Sequence, residues 1–229
     1  MIQFLLKVLV GSILFFLLIP PQTISQENNH REPIDPEAFS VVEFALRGEL
    51  NITAGKTRTI KVQANDYVLN HIQFSVLSGV LTIRLKGSPN NKNLNSDIYV
   101  IMGAPAIDEL RLTKKGIINA YNIKSKNLTC VLEGPGTILV NGQTERVNFN
   151  VKGTGKIKMI GKGNNVTSSI QGSGQIDLSE LDCVNAESVI IGSGNIIYKN
   201  GVNINSEVEK SGDIIFPVTS VFSEKYTPK

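Results

Sequence analysis

Two histidines, two cysteines and one acidic cluster are where bond-breaking or metal chemistry would have to begin in this 229-residue chain. His30 lies in a polar, proline-bearing stretch, and His71 stands beside Ile72 and Phe74 in strand-like sequence, where it reads as a strand-face residue. No serine, histidine and acid share the spacing of a triad, and no histidine or cysteine cluster has metal-ligand spacing. Glu180, Asp182 and Glu187 lie close in sequence. Glycosidic hydrolysis needs two carboxylates about 5 to 10 Å apart, but charges so placed read first as a solvated loop. These residue types predict no catalytic, metal or cofactor site and a chain that is not an enzyme.

The glycine-rich tripeptides Gly134-Pro135-Gly136, Gly153-Thr154-Gly155, Gly172-Ser173-Gly174 and Gly192-Ser193-Gly194 lack the Lys-Ser/Thr ending of a phosphate loop. Strand-like sequence follows each of them, whereas a phosphate loop opens a helix. They belong to a repeat. Its reference glycines are Gly116, Gly136, Gly155, Gly174, Gly194 and Gly212, in steps of 20, 19, 19, 20 and 18 residues. Two residues after each stands isoleucine: Ile118, Ile138, Ile157, Ile176, Ile196 and Ile214. The positions four before and four after are also apolar or aromatic, from Leu112 to Phe216.

Spacing of two and four is strand periodicity. The glycine marks a bend between inward-facing strands, where a residue without a β-carbon reaches backbone conformations closed to others. A second corner falls near Asn141-Gly142, Gly161 and Gly163, Asp182, and Asn200-Gly201. An antiparallel meander and a coil of parallel stacked turns both use such a repeat, but only the coil puts the six isoleucines in one internal column. The outer repeats carry Lys114 and Lys210 in place of the leading glycine, as expected where a stack ends. The expected fold is therefore all-β, a parallel β-helix-like solenoid with glycine-rich corners every 18–20 residues.

Residues 1–25 read as a signal peptide, with Lys7 before an apolar run, then Pro20 and Pro21, and Thr23 and Ser25 before a cut ahead of Gln26. The competing reading is an uncleaved anchor, the one route to a membrane seen here. Residues 26–38 read as a flexible linker, 39–217 as the domain and 218–229 as a carboxy-terminal tail. Phe39 to Met102 is strand-rich but irregular, since Gly48 to Gly79 fits no whole number of turns; Gly87 to Asn95 reads as a surface loop, and no helical stripe is visible. The formal charge of +3 and the sparse aromatics, with no tryptophan, single out no nucleic acid partner.

The Phe39 to Leu85 stretch, Leu110-Arg111-Leu112, and Gly-Ser-Gly-X-Ile units such as Gly172 to Ile176 and Gly192 to Ile196 resemble the head domain of auto-transporter adhesins of Gram-negative bacteria, also called the head GIN domain. The resemblance implies a right-handed β-helix-like fold and adhesion at the cell envelope. It brings no agreed catalytic or ligand-binding residues. Lys114-Lys115-Gly116 and the ending Ile214-Ile215-Phe216-Pro217 depart from the family pattern. Beside such a relative, the glycosylation sequons at Asn51, Asn127 and Asn165 read as coincidental.

The expected function is a noncatalytic cell-envelope or secreted binding domain, in the periplasm, on the outer-membrane surface or outside the cell. A carbohydrate-active β-helix enzyme and a structural or regulatory envelope protein are the alternatives. The candidate binding surface is the outward position after each corner, Thr137, Lys156, Gln175 and Asn195, with an outward apolar pair, Ile197 and Ile215. That pair either lies under the tail residues Val218, Val221 and Phe222 or serves self-association. The ligand class is open, a glycan or a protein. Cys130 and Cys183 fall three turns apart, about 14 Å along the axis. A disulfide needs α-carbons within about 7 Å, so two separate thiols are expected.

Overall fold

The computed structural model describes residues 30–34, 38–87 and 98–216. The expected signal peptide, most of the Gly87 to Asn95 loop, and the tail with Val218, Val221 and Phe222 lie outside the described residues. The amino-terminal half contains β1 (His30–Ile34), β2 (Val41–Ala45), β3 (Glu49–Ala54), β4 (Thr59–Gln63), α1 (Asp66–His71), β5 (Ile72–Leu77), β6 (Val80–Leu85), β7 (Tyr99–Ala104) and β8 (Glu109–Leu112). Three long strands follow, β9 (Ile117–Glu133), β10 (Thr137–Gly153) and β11 (Lys156–Gly172). The last turns are β12 (Gln175–Asp182), β13 (Asn185–Gly192), β14 (Asn195–Tyr198), β15 (Asn203–Lys210) and β16 (Asp213–Ile215).

From β9 onward every pairing is parallel, and the chain is a β-solenoid of about 5 turns. The six isoleucines pair in one ladder, Ile118 to Ile138, Ile157, Ile176, Ile196 and Ile214, and all but the last are fully buried. Leu50 and Val100 extend that ladder into the amino-terminal half. Its apolar side chains make one continuous core.

The step lengths have a physical reading. A 19-residue turn is odd, so strict alternation would put a residue and its neighbour one turn on at opposite faces. One place per turn where two successive residues face outward restores the match, at Glu145-Arg146 in β10 and at Asn164-Asn165 in β11. The 20-residue turns need a second such place. They have it at Tyr121-Asn122 and at Ser179-Glu180, and there the register shifts by a bulge, between β9 and β10 and between β11 and β12.

The two glycine rows divide their work differently from the expectation. Left-handed backbone belongs to the leading glycine, as at Gly153 (φ 110°) and Gly172 (φ 125°). The reference glycine is required by space: a β-carbon on Gly136 would stand 2.6 Å from Leu112 Cδ2, the inward apolar side chain of the turn below.

The irregular half departs from the expectations in two places. Part of the expected linker is strand β1, paired antiparallel to β4, because the edge of the sheet at β4 is open to a further strand. A helix, α1, interrupts the strands; at six residues it is too short to show a stripe, and only Val68 on it is buried. The Asn65 side chain caps it by accepting from the Val68 N–H at 2.8 Å. The misfit between Gly48 and Gly79 has its cause as well: β4, α1 and β5 form an excursion with antiparallel pairs β4–β7 and β5–β6, while β2, β3 and β6 lie in the parallel walls.

Candidate functional site

The strands from β7 and β3 through β9, β10, β11, β12 and β14 to β16 make one wall whose inward residues are the isoleucine ladder. Its outward residues stand in rows at the interstrand spacing of about 4.8 Å. One row runs Tyr99, Glu49, Ile117, Thr137, Lys156, Gln175, Asn195 and Asp213. Thus the candidate residues Thr137, Lys156, Gln175 and Asn195 are brought into line, each half-buried among its neighbours. The next row runs Asn51, Asn119, Leu139, Lys158, Asp177, Ile197 and Ile215, so Ile197 and Ile215 are adjacent on successive turns as expected. Beyond them Phe216 stacks on Tyr198 with ring centroids 6.5 Å apart.

The polar side chains of these rows engage one another. Lys156 Nζ lies 3.3 Å from Asp177 Oδ2, and the Ser179 hydroxyl donates to Asp177 Oδ1 at 2.7 Å. Burial alone would raise the Asp177 carboxyl, but the Ser179 hydroxyl and N–H and the Lys156 ammonium outweigh it and hold the group below the usual carboxylate range. Lys158 donates to Glu180 at 2.5 Å and Lys199 to Asp182 at 2.6 Å, and Lys199 holds the Asp182 carboxyl low. The acidic cluster is not a loop: Glu180 and Asp182 lie on β12 and Glu187 on β13, because their outward positions alternate with Leu181, Ala186 and Ser188 facing in.

A polar network absent from the sequence reading joins the first turns. Asn119 donates to Glu49 Oε1 at 2.8 Å and to Asn51 Oδ1 at 3.0 Å, and Asn51 donates to the same Glu49 oxygen at 3.0 Å. Asn51 and Asn119 stand at the same offset from Gly48 and Gly116, and that shared offset was the available signal.

At the second corner the wall is hollowed into a groove of about 570 Å³. Its floor is the paired row of Ile123, Gly142 and Gly161. A β-carbon on Gly142 would run into Ile123, and one on Gly161 into the Gly142 carbonyl, so no side chain fills the corner. Asn122 and Asn141 stand on one side of the floor, and Lys124, Gln143, Lys162 and Asp182 follow one another on the other.

His71 is not a strand-face residue. It ends α1, where Nδ1 lies 2.6 Å from the Tyr67 carbonyl and the ring stacks on Tyr67, because the six-residue helix places positions four apart on one side. Cys130 and Cys183 are separate thiols. Cys130 is fully buried, and burial pushes its thiol up. Among the described residues no group of three or more His, Cys, Asp or Glu side chains is placed to hold a metal ion.

Long parallel strands, a glycine at the first corner of each repeat and inward ladders that run from turn to turn define a parallel β-solenoid. The chain belongs to the family described as "Putative auto-transporter adhesin, head GIN domain", which matches residues 38–216. Among solved structures, a Bacteroides fragilis protein described as a "putative adhesin" is similar with a TM-score of 0.70 at 19% identity, over 82% of this chain and 87% of that one. A Parabacteroides distasonis protein described as a "putative lipid binding protein" gives 0.60 at 17% identity, over 82% and 96%. A "putative adhesin" from Parabacteroides merdae gives 0.57 at 17%, over 82% and 95%. At these identities the likeness is one of fold. No curated protein matches the chain.

Proposed function

We propose that this chain is an exported, noncatalytic binding domain of the cell envelope that holds its ligand against the rigid outer wall of the solenoid. The observation that carries the proposal is the row Thr137, Lys156, Gln175 and Asn195, kept in register by a wall whose inward side chains are fully buried. Regular spacing lets several weak contacts act together without a deep pocket, so one domain binds modestly and an array of them binds well. Membership of a family of adhesin heads supports the envelope setting. The ion pairs of Glu180 with Lys158 and of Asp182 with Lys199 support binding over hydrolysis, since each carboxylate is committed to a lysine.

The test has two parts. Deleting Met1 to Ser25 must stop export of the full chain, and replacing Thr137, Gln175 and Asn195 together by alanine must weaken retention on immobilised envelope or host-surface glycans and proteins. Export without that segment, or retention indifferent to the whole row, contradicts the proposal.

A further inference from the structure

We infer that the groove at the second corner is a second ligand site on the same wall, beside the Thr137 row, and that it takes a linear polysaccharide carrying carboxylates, laid along the solenoid axis. This rests on the reading of the chain as a binding domain. The groove crosses β9, β10, β11 and β12 and reaches Lys199 just past β14, so the four strands span about 14 Å at one interstrand spacing per step. Each step is comparable to one sugar residue of an extended chain, so the wall offers one set of side chains per residue of ligand.

The chemistry of the rim selects the class. Asn122, Asn141 and Gln143 are exposed amides that both donate and accept, which matches hydroxyl groups. Lys124 and Lys162 face the same groove two strands apart, about 10 Å, so carboxylates on alternate sugar residues reach both. Lys162 is also near Asp182, whose carboxyl it helps to hold low, while Lys124 has no carboxylate partner among the described residues. At the far end Glu180 and Asp182 are paired with Lys158 and Lys199, so the groove's lysines free of an ion pair among the described residues lie at Lys124 and Lys162, which gives the site a direction.

A second feature points to the same place. The bulge in β9 turns both Tyr121 and Asn122 outward; Asn122 lines the groove in left-handed backbone at φ 57°, and Tyr121, the residue before it, is 48% exposed. An asparagine tolerates that conformation at a cost, and bulges of this kind re-aim side chains at functional sites. The Tyr121 ring offers an apolar face on which a sugar ring stacks.

The experiment is retention of the full chain on immobilised polygalacturonate, on the same polymer fully methyl-esterified, and on polyglutamate. Expected are binding to polygalacturonate that weakens with salt, loss of at least tenfold on Lys124→Gln with Lys162→Gln, and a further loss on Tyr121→Ala. The double variant Lys114→Gln with Lys152→Gln makes the same change of net charge away from the groove and should bind as the parent does, with all variants sharing the parent's unfolding midpoint. No retention on polygalacturonate, equal retention on the ester or on polyglutamate, or equal loss in the two double variants overturns the assignment of groove and ligand. Retention on another surface that depends on Thr137, Gln175 and Asn195 would then still uphold the binding-domain reading, and its absence would end both.

Discussion

The Tyr198 hydroxyl lies 2.8 Å from Ser188 Oγ inside the solenoid, reaching from one wall to the other, and 3.2 Å from Ser168 Oγ. Both serines point inward in the row that carries Leu110, Cys130 and Phe149 on earlier turns, where the side chains are larger. Tyr198 is fully buried, and its burial pushes the phenol up. Tyr198→Phe leaves two buried hydroxyls without this partner and should cost about 1 to 3 kcal/mol. Adding Ser168→Ala and Ser188→Ala to Tyr198→Phe should recover part of the loss, read from denaturant midpoints. A silent Tyr198→Phe would contradict the pairing.

The isoleucine ladder makes a sharper demand. Ile157→Ala and Ile176→Ala should each cost about 2 to 5 kcal/mol, since both are fully buried. Lys156→Ala, one residue from Ile157, removes an exposed ammonium from a largely buried Asp177 that keeps its Ser179 hydrogen bonds, and should cost less than either isoleucine change. Similar effects of all three would refute the inward assignment.

Gly136 and Leu112 should behave as a coupled pair. Gly136→Ala puts a β-carbon against Leu112 and should cost about 1 to 3 kcal/mol by overpacking. With Leu112→Ala already present the same change should cost less, and a double-mutant cycle reads the difference. Full additivity would show that the glycine is there for another reason.

Asp177 gives the pH dependence. Its carboxyl is held below the ordinary value, so the folded state binds the proton less readily than the unfolded one. The stability this adds is present above the unfolded value, about pH 4, and is lost as the pH falls through the folded value. The advantage of the parent over Asp177→Asn should therefore be constant from pH 7 to about pH 5 and shrink below about pH 4. An advantage that grows on acidification would reverse the assignment.

The repeat made the solenoid legible because each turn states its inward column in the same residue types, Ile118 through Ile214. What escaped was structure without repetition. The six residues of α1 bury only Val68, and β1 gains its partner from the open edge at β4, which local sequence does not encode. The row of Thr137, Lys156, Gln175 and Asn195 followed from alternation alone. The groove did not, because it is made by missing side chains at Gly142 and Gly161, which pair only once the turns are stacked. The Tyr121-Asn122 bulge lay hidden in a step of 20 residues instead of 19.

The central claim is binding without bond breaking. Its most direct test is to incubate the full chain with an immobilised polysaccharide panel and measure retained protein and new reducing ends in the same wells. The account predicts retention with no new reducing ends. Reducing ends that appear with the parent and disappear with Glu180→Gln or Asp182→Asn would contradict it and make the chain an enzyme.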